Sequence, residues 1–195
     1  MGRVKESDAG RKFYVHRVKT PFGEAVLLWS KEGLRSLEMG KGEVLAEGDD
    51  LLMLPVGSMV YRACEAARQL REEGIQVTVV NPRFIKPLDS PLLCGMARRI
   101  GRVVTIEENV LAGGFGSAVI ELLQERGFSD VEVLRIGIPD QFLEHGPQGV
   151  LRKKCGLDCS GILRRVRSFL MGEARPKNPG LRVMGPRENR ISLSI

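Results

Sequence analysis

From Asp50 onward, apolar runs of strand length alternate with stretches whose apolar positions recur at helical spacing. That alternation is the pattern of a mostly parallel sheet covered by helices. Residues 51–56 read as a first strand. Gly57-Ser58 then offers a turn and an N-cap, after which Val60, Cys64, Ala67 and Leu70 recur at i, i+4, i+7 and i+10 until Gly74 stops the helix. Residues 75–80 form the second strand. Pro82 and Pro87 break any continuation, Asp89 or Ser90 caps a helix through Ile100, and residues 102–106 form the third strand. The loop Leu111-Ala112-Gly113-Gly114-Phe115-Gly116 leads into a helix from about Ser117 to Arg126, with Gly127 as its stop. Residues 131–136 make the fourth strand, and a polar stretch beyond Pro139-Asp140 gives way to short helical segments that end with residues 162–170.

The strands are near-continuously apolar, as a parallel sheet buried on both faces requires, so the expected fold class is a three-layer α/β/α. Right-handed crossovers then gather the strand carboxyl ends along one edge, which carries Gly57-Ser58 and residues 81–89, 107–116 and 137–145. The ends of the chain read differently. Residues 1–37 form an N-terminal extension in which Ala25-Val26-Leu27-Leu28-Trp29 is one strand among charged and turn-forming residues. Residues 38–170 are the main domain. Residues 171–195, with Pro176, Pro179, Gly180, Gly185 and Pro186 and no sustained periodicity, read as a basic, flexible tail.

Composition changes this picture only at the margins. The chain has 195 residues, is 43% hydrophobic and 28% charged, and so falls among folded soluble domains. Its net charge of +6 suggests nucleic acid until the charges are located: residues 1–37 carry 8 basic and 4 acidic groups, residues 171–195 carry 5 and 2, and the middle holds 17 and 18. The main domain is therefore close to neutral, and with 5% aromatic residues it offers little to stack on bases. No nucleic-acid partner is expected. No run approaches the length of a membrane span, and the first residues lack the apolar core of a signal peptide, so the expected setting is the cytoplasm. Cys64, Cys94, Cys155 and Cys159 match no zinc-site spacing and read as free thiols in a reducing compartment.

A series of ordered blocks narrows the reading. They are Gly40-Lys41-Gly42-Glu43, residues 57–60, residues 77–89 with Asn81-Pro82-Arg83-Phe84-Ile85-Lys86-Pro87-Leu88-Asp89, and Thr105-Ile106-Glu107-Glu108-Asn109. Then come Gly113-Gly114-Phe115-Gly116-Ser117-Ala118-Val119, Gly137-Ile138-Pro139-Asp140, Glu144-His145-Gly146, and Gly156-Leu157-Asp158 before Gly161-Ile162. Taken together, residues 38–170 resemble the C-terminal, transketolase-type third domain of 1-deoxy-D-xylulose-5-phosphate synthase. The resemblance implies the same α/β fold as the apolar pattern does.

Full-length members of that family bind thiamine diphosphate and magnesium in a first domain, and a second, pyrimidine-binding domain supplies the glutamate that activates the thiazolium ring. Neither domain fits in 195 residues. The resemblance thus implies no catalytic residue, no cofactor-binding residue and no metal site in this chain, and it implies a homodimer or a complex with separately encoded catalytic domains. In the family the second domain ends in Arg-Tyr-Pro-Arg-Gly, whose second arginine holds substrate phosphate. Aligned on Gly33, this chain has Trp29-Ser30-Lys31-Glu32-Gly33, so residues 1–37 resemble a degenerate remnant of that domain in which Glu32 reverses the charge at the anion. The expected role is structural. A different reading makes the chain a stand-alone regulatory or anion-binding module.

The residues that invite chemistry lie along the carboxyl edge, and each has a plainer reading. Glu107-Glu108 resembles an acid/base pair, yet adjacent residues of an extended chain point to opposite sides. One carboxylate accepting backbone N–H bonds from the following glycine loop or helix is the structural alternative. Gly113, Gly114, Phe115, Gly116 and Ser117 resemble an anion cradle at a helix N-terminus, or else a close packing or subunit contact. His145 is positioned for general-base work or for a capping or interface role. Arg83 either grips an anion with Lys86 or pairs with Glu107 or Glu108 in a structural polar cluster with His145. Arg152-Lys153-Lys154 with Arg164, Arg165 and Arg167 reads as a basic docking face or a solvated helix surface.

Overall fold

In the computed structural model, residues 3–6, 12–20, 23–30, 33–38 and 41–172 are described. From residue 43 onward the apolar runs assemble a five-stranded sheet. Its strands are β5 (Glu43–Ala46), β6 (Leu51–Pro55), β7 (Val77–Asn81), β8 (Arg102–Val110) and β9 (Glu132–Ile138), in the order β5-β7-β6-β8-β9. β7, β6, β8 and β9 are parallel; only β5, on the edge, runs antiparallel to β7. The helices are α1 (Met59–Glu72), α2 (Ser90–Ile100), α3 (Phe115–Glu125), α4 (Gln148–Cys155) and α5 (Cys159–Leu170).

The alternation of side chains along each strand sorts the core into two layers. On β6, Leu51 and Met53 join Met59, Ala63 and Leu70 of α1 and Ile162 and Val166 of α5 on one face. Leu52 and Leu54 meet Leu93 and Ala97 of α2 and Phe115, Val119 and Leu123 of α3 on the other. All five residues of β6 are buried, so the strand has no polar face to show. The chain steps from β6 outward to β7 and then back across β6 to β8, and this reversal sends α1 and α2 to opposite faces under the right-handed crossover rule. The result is the expected three-layer α/β/α fold with a mostly parallel sheet.

The structure departs from the sequence expectation in register and extent. The buried stripe of α1 is Met59, Ala63, Ala66, Ala67 and Leu70, whereas Val60 and Cys64 are half-buried. Small alanines take the core positions because α1 is packed between the sheet and α5, where a larger side chain would hold the layers apart. β8 does not stop at Ile106 but continues to Val110, which pairs with Ile138 across a register shift. α3 starts at Phe115, so the last two residues of the expected glycine loop belong to its first turn. β5 has no counterpart in the expectation; its four residues alternate exposed and half-buried, as an edge strand does.

Where one strand was expected before residue 38, the chain forms a four-stranded antiparallel sheet: β1 (Arg3–Glu6), β2 (Lys12–Thr20), β3 (Gly23–Ser30) and β4 (Gly33–Glu38), in sequential order. Residues 25–29 lie within β3. The other three carry lysine, arginine and glutamate at positions that mask a period of two, which is why apolar patterning does not find them. Lys31 and Glu32, on which the expected loss of a phosphate-binding arginine falls, lie outside the described residues, as does the tail from residue 173. Among the described residues no helix is long and apolar enough to cross a membrane.

Asp89 fastens the edge strand to the body of the domain. Its Oδ1 accepts the Leu92 N–H at 3.2 Å as the N-cap of α2, and its Oδ2 accepts the Gly42 N–H at 3.0 Å just before β5. Asp89→Ala removes both acceptors and is expected to lower unfolding free energy by about 1–2 kcal/mol. Urea denaturation of the two proteins measures this, and the amides of β5 should exchange faster with solvent in the variant.

Candidate functional site

The sheet reverses its strand order beside β6, and in open α/β sheets the crevice beyond the carboxyl ends at such a point is where ligands bind. Ser58 follows β6 at this point and Glu107-Glu108 lie near the end of β8. The two carboxylates leave the strand on opposite faces and meet different partners.

Glu107 is 1% exposed. Its Oε2 accepts the Phe115 N–H at 2.7 Å and its Oε1 accepts the Gly116 N–H at 2.8 Å. A charge taken out of water needs such compensation, and the first turn of α3 provides both donors and the positive end of the helix dipole. The glycines make room for it. A Cβ on Gly114 would stand 2.3 Å from Glu107 Oε2, one on Gly116 would stand 2.6 Å from Thr105 Oγ1, and one on Gly137 would stand 2.8 Å from Leu111 Cδ2 and 3.1 Å from Glu107 Cγ. Gly113, at φ +69°, makes the left-handed turn that brings the chain back over the carboxylate.

The same contacts occupy the groups that an external anion would use. The N–H groups of Phe115 and Gly116 belong to Glu107, and the Ser117 N–H donates to Gly114 O at 3.1 Å. The Ser117 hydroxyl donates to Leu111 O at 2.9 Å and receives Arg135 Nη1 at 3.0 Å, while Arg135 Nη1 also reaches Leu111 O at 3.0 Å. Of the loop from Gly113 to Ser117, the donors from Phe115 onward are therefore used within the chain.

Glu108 faces the other layer. Arg152 of α4 grips it as a fork, Nε to Oε1 at 2.6 Å and Nη2 to Oε2 at 2.7 Å. Ser58 Oγ donates to Oε2 at 2.7 Å and Gln148 Nε2 donates to Oε1 at 3.2 Å. The paired Arg152 and the other two donors hold the Glu108 carboxyl at about 2, well below its ordinary value. Ser58 begins α1 as its N-cap but makes no side-chain cap bond, because its hydroxyl is turned to Glu108. The crevice at the strand reversal is thus closed by α4, with Arg152 inserted between the ends of β6 and β8.

The remaining expected residues lie elsewhere. Arg83 does not pair with Glu107 or Glu108; its Nη2 meets Glu43 Oε2 at 2.5 Å, tying the loop after β7 to the edge strand β5. His145 is exposed on the segment between β9 and α4, and its neighbour Glu144 pairs with Lys154 at 2.7 Å. The expected cluster of Arg83, Glu107, Glu108 and His145 is in this way divided among three places. Arg152, Ser58 and Gln148 as partners of Glu108 are absent from the sequence reading. Arg152 was visible only as one of six cations near the C-terminus, and Ser58 only as a cap. Among the described residues no group of three or more His, Cys, Asp or Glu is placed to hold a metal ion.

Two substitutions separate these roles. Glu107→Gln puts an amide donor where an acceptor is required, so one N–H of the α3 first turn loses its partner; a loss of roughly 2–3 kcal/mol is expected by chemical denaturation. For Glu108 the test is pH. A carboxyl whose pKa is lowered on folding contributes stability that is present above its unfolded value, 4.5, and is lost as pH falls toward the folded value of about 2. Unfolding free energy measured between pH 5 and pH 2 should therefore fall less steeply in Glu108→Gln than in the parent; equal slopes would refute the assignment.

Residues 40–162 match the family described as Transketolase, C-terminal domain. The 1-deoxy-D-xylulose-5-phosphate synthase 1 of Geobacter sulfurreducens is 50% identical over 143 residues, covering 73% of this chain and 22% of that protein. The corresponding protein of Geobacter metallireducens is 54% identical over 136 residues, 70% of this chain and 22% of the relative. The synthase of Desulforudis audaxviator is 48% identical over 160 residues, 82% and 25%. Among solved structures, one described as a split gene transketolase, inactive beta4 tetramer, superposes with a TM-score of 0.63 at 41% identity, covering 69% of this chain and 43% of that one. This chain thus spans about a quarter of the length of the curated relatives it matches. With the parallel sheet, the glycine loop and the strand-end carboxylates all inside the matched stretch, the chain belongs to the transketolase C-terminal domain family and matches the C-terminal domain of 1-deoxy-D-xylulose-5-phosphate synthase.

Proposed function

We propose that this chain supplies the C-terminal domain of a 1-deoxy-D-xylulose-5-phosphate synthase and that its own residues serve assembly, with no chemical step of their own. The reaction of that family joins pyruvate and glyceraldehyde 3-phosphate to give 1-deoxy-D-xylulose 5-phosphate and carbon dioxide, a thiamine-diphosphate-dependent transfer that feeds isoprenoid precursor synthesis in the cytoplasm. In that role the domain packs against the thiamine-diphosphate-binding domains within a twofold assembly of the kind it joins in the superfamily.

One observation carries the reading: the two carboxylates at the carboxyl edge are both engaged within the chain. Glu107 uses both oxygens on α3, and Glu108 uses both on Arg152, Ser58 and Gln148. Neither carboxylate is poised to take a proton from a substrate, and the N–H groups of Phe115, Gly116 and Ser117 at the start of α3 already have acceptors within the chain. These residues take no part in holding thiamine diphosphate or magnesium. Large apolar side chains stand exposed on the segments that bear this network or lead into it, with Tyr61 of α1 85% exposed, Val150 of α4 51% and Phe142 fully so. Such surface suits burial against another domain.

A second reading, a stand-alone regulatory module that binds an anion, draws on a different feature: Arg164 and Arg165 have no carboxylate partner among the described residues.

The purified chain, given thiamine diphosphate, magnesium, pyruvate and glyceraldehyde 3-phosphate, is expected to form no product at enzyme-like rates. A chimera carrying residues 40–162 of this chain in place of the matched stretch of the Geobacter sulfurreducens synthase is expected to turn over. Product from the chain alone, or a folded but inactive chimera, would overturn the proposal.

A further inference from the structure

Six cations line the last two helices: Arg152, Lys153 and Lys154 in α4 and Arg164, Arg165 and Arg167 in α5. Three of them are neutralised within the chain. Arg152 pairs with Glu108, Lys154 with Glu144 and Arg167 with Glu73. Lys153, Arg164 and Arg165 are left over: among the described residues none has a carboxylate at ion-pairing distance, Lys153 acting only through space on Asp158, whose carboxyl it helps to lower, and neither guanidinium donates a hydrogen bond to another described group.

The two heads do not diverge into solvent. A methyl group at Gly156 would lie 3.8 Å from Arg164 Nη2 and 3.8 Å from Arg165 Nε, so both guanidinium groups converge over the turn between α4 and α5. Burial and the adjacent Arg164 charge push the Arg165 guanidinium below its ordinary pKa. Two like charges side by side, one of them half-stripped of water, cost free energy that no carboxylate among the described residues offsets.

The turn beneath them is closely packed. Gly156 takes a left-handed conformation at φ +66°, and the Leu157 N–H donates back to Arg152 O at 2.8 Å. The first turn of α5 lies so close that a Cβ on Gly161 would stand 2.6 Å from the Gly156 backbone. Asp158, the acidic residue of this turn, is already engaged: its Oδ1 accepts the Gly161 N–H at 3.1 Å and its Oδ2 the Ser160 hydroxyl at 2.7 Å. The turn therefore presents two forks and, among the described residues, no hydrogen-bond acceptor for either.

We propose that Arg164 and Arg165 form a binding site for a phosphate-type dianion at the α4–α5 turn. The charges match, because two guanidinium groups neutralise a dianion where a single carboxylate would leave one of them unpaired. The geometry matches as well: a tetrahedral oxyanion has enough acceptor oxygens to meet two planar forks at once, and its second charge is what makes two arginines necessary. The site goes beyond the assembly role and does not depend on it.

The test uses the whole chain and inorganic phosphate, with ionic strength held constant by chloride. Thermal unfolding and the NMR shift of the Gly156 amide are followed together. A saturable phosphate response is expected in both, with the melting temperature rising as ligand linkage requires. Arg164→Gln and Arg165→Gln are each expected to weaken phosphate binding by about tenfold or more, and the double variant to lose it. Arg165→Lys, which keeps the charge without the fork, should fall between. Melting in phosphate-free buffer verifies that each variant is folded. Arg126→Gln, a cation at the end of α3, should respond as the parent does. Competition by glycerol phosphate for the same shift would identify the phosphate group of an organic molecule as the ligand, and its absence would identify the free ion. An undiminished response in the double variant, or an equal loss in Arg126→Gln, would overturn the proposal.

Discussion

Glu107 lies 1% exposed between the last turns of β8 and the first turn of α3, and the position of that helix, the irregular end of the strand and the glycines around them all follow from housing it. A carboxylate at that depth is tolerable only with donors on both oxygens. The nearest available donors are the unpaired N–H groups that every helix carries at its start. To bring them within 2.8 Å, backbone has to pass where side chains would normally stand, and Gly114, Gly116 and Gly137 are the positions at which it does. A motif that looks like an anion cradle is one, and its anion is part of the same polypeptide.

The other carboxylate of the pair has a different consequence. Glu108 gathers Ser58 from the start of α1 with Gln148 and Arg152 from α4, so three elements far apart in sequence are joined at the reversal of strand order. In open α/β sheets that crevice is where ligands bind. In this chain a guanidinium occupies it, 15% exposed and forked onto a carboxylate that is itself only 26% exposed. The exposed Tyr61 and Val150 belong to the two helices so joined, and the bridge fixes their relative placement.

The order of strands and helices after residue 50 is legible in the sequence because buried parallel strands are uniformly apolar and their helices are punctuated by Gly74, Gly101 and Gly127. The housing of Glu107 is local too, with donors eight and nine residues away. What escapes is set by distance or by weakness of pattern. β5 is four residues of half-exposed edge, and β1, β2 and β4 break their alternation with charge. Glu108 and Arg152 are 44 residues apart, and nothing in the run Arg152-Lys153-Lys154 distinguishes the arginine that turns inward from the lysines that do not. Arg83 illustrates the same limit: its carboxylate, Glu43, sits on the very strand that patterning does not reveal.

The direction of β5 has a consequence for whatever precedes it. Because Glu43 pairs with Asn81 and the strand runs against its neighbour, the polypeptide arrives at the carboxyl edge of the sheet, the edge that also bears the Glu108–Arg152 bridge. A parallel strand in the same place would have brought it in at the opposite end. Anything joined ahead of Glu43 is therefore kept on a short leash beside that edge, at an effective concentration fixed by chain length alone, and contact between the two needs little intrinsic affinity to persist.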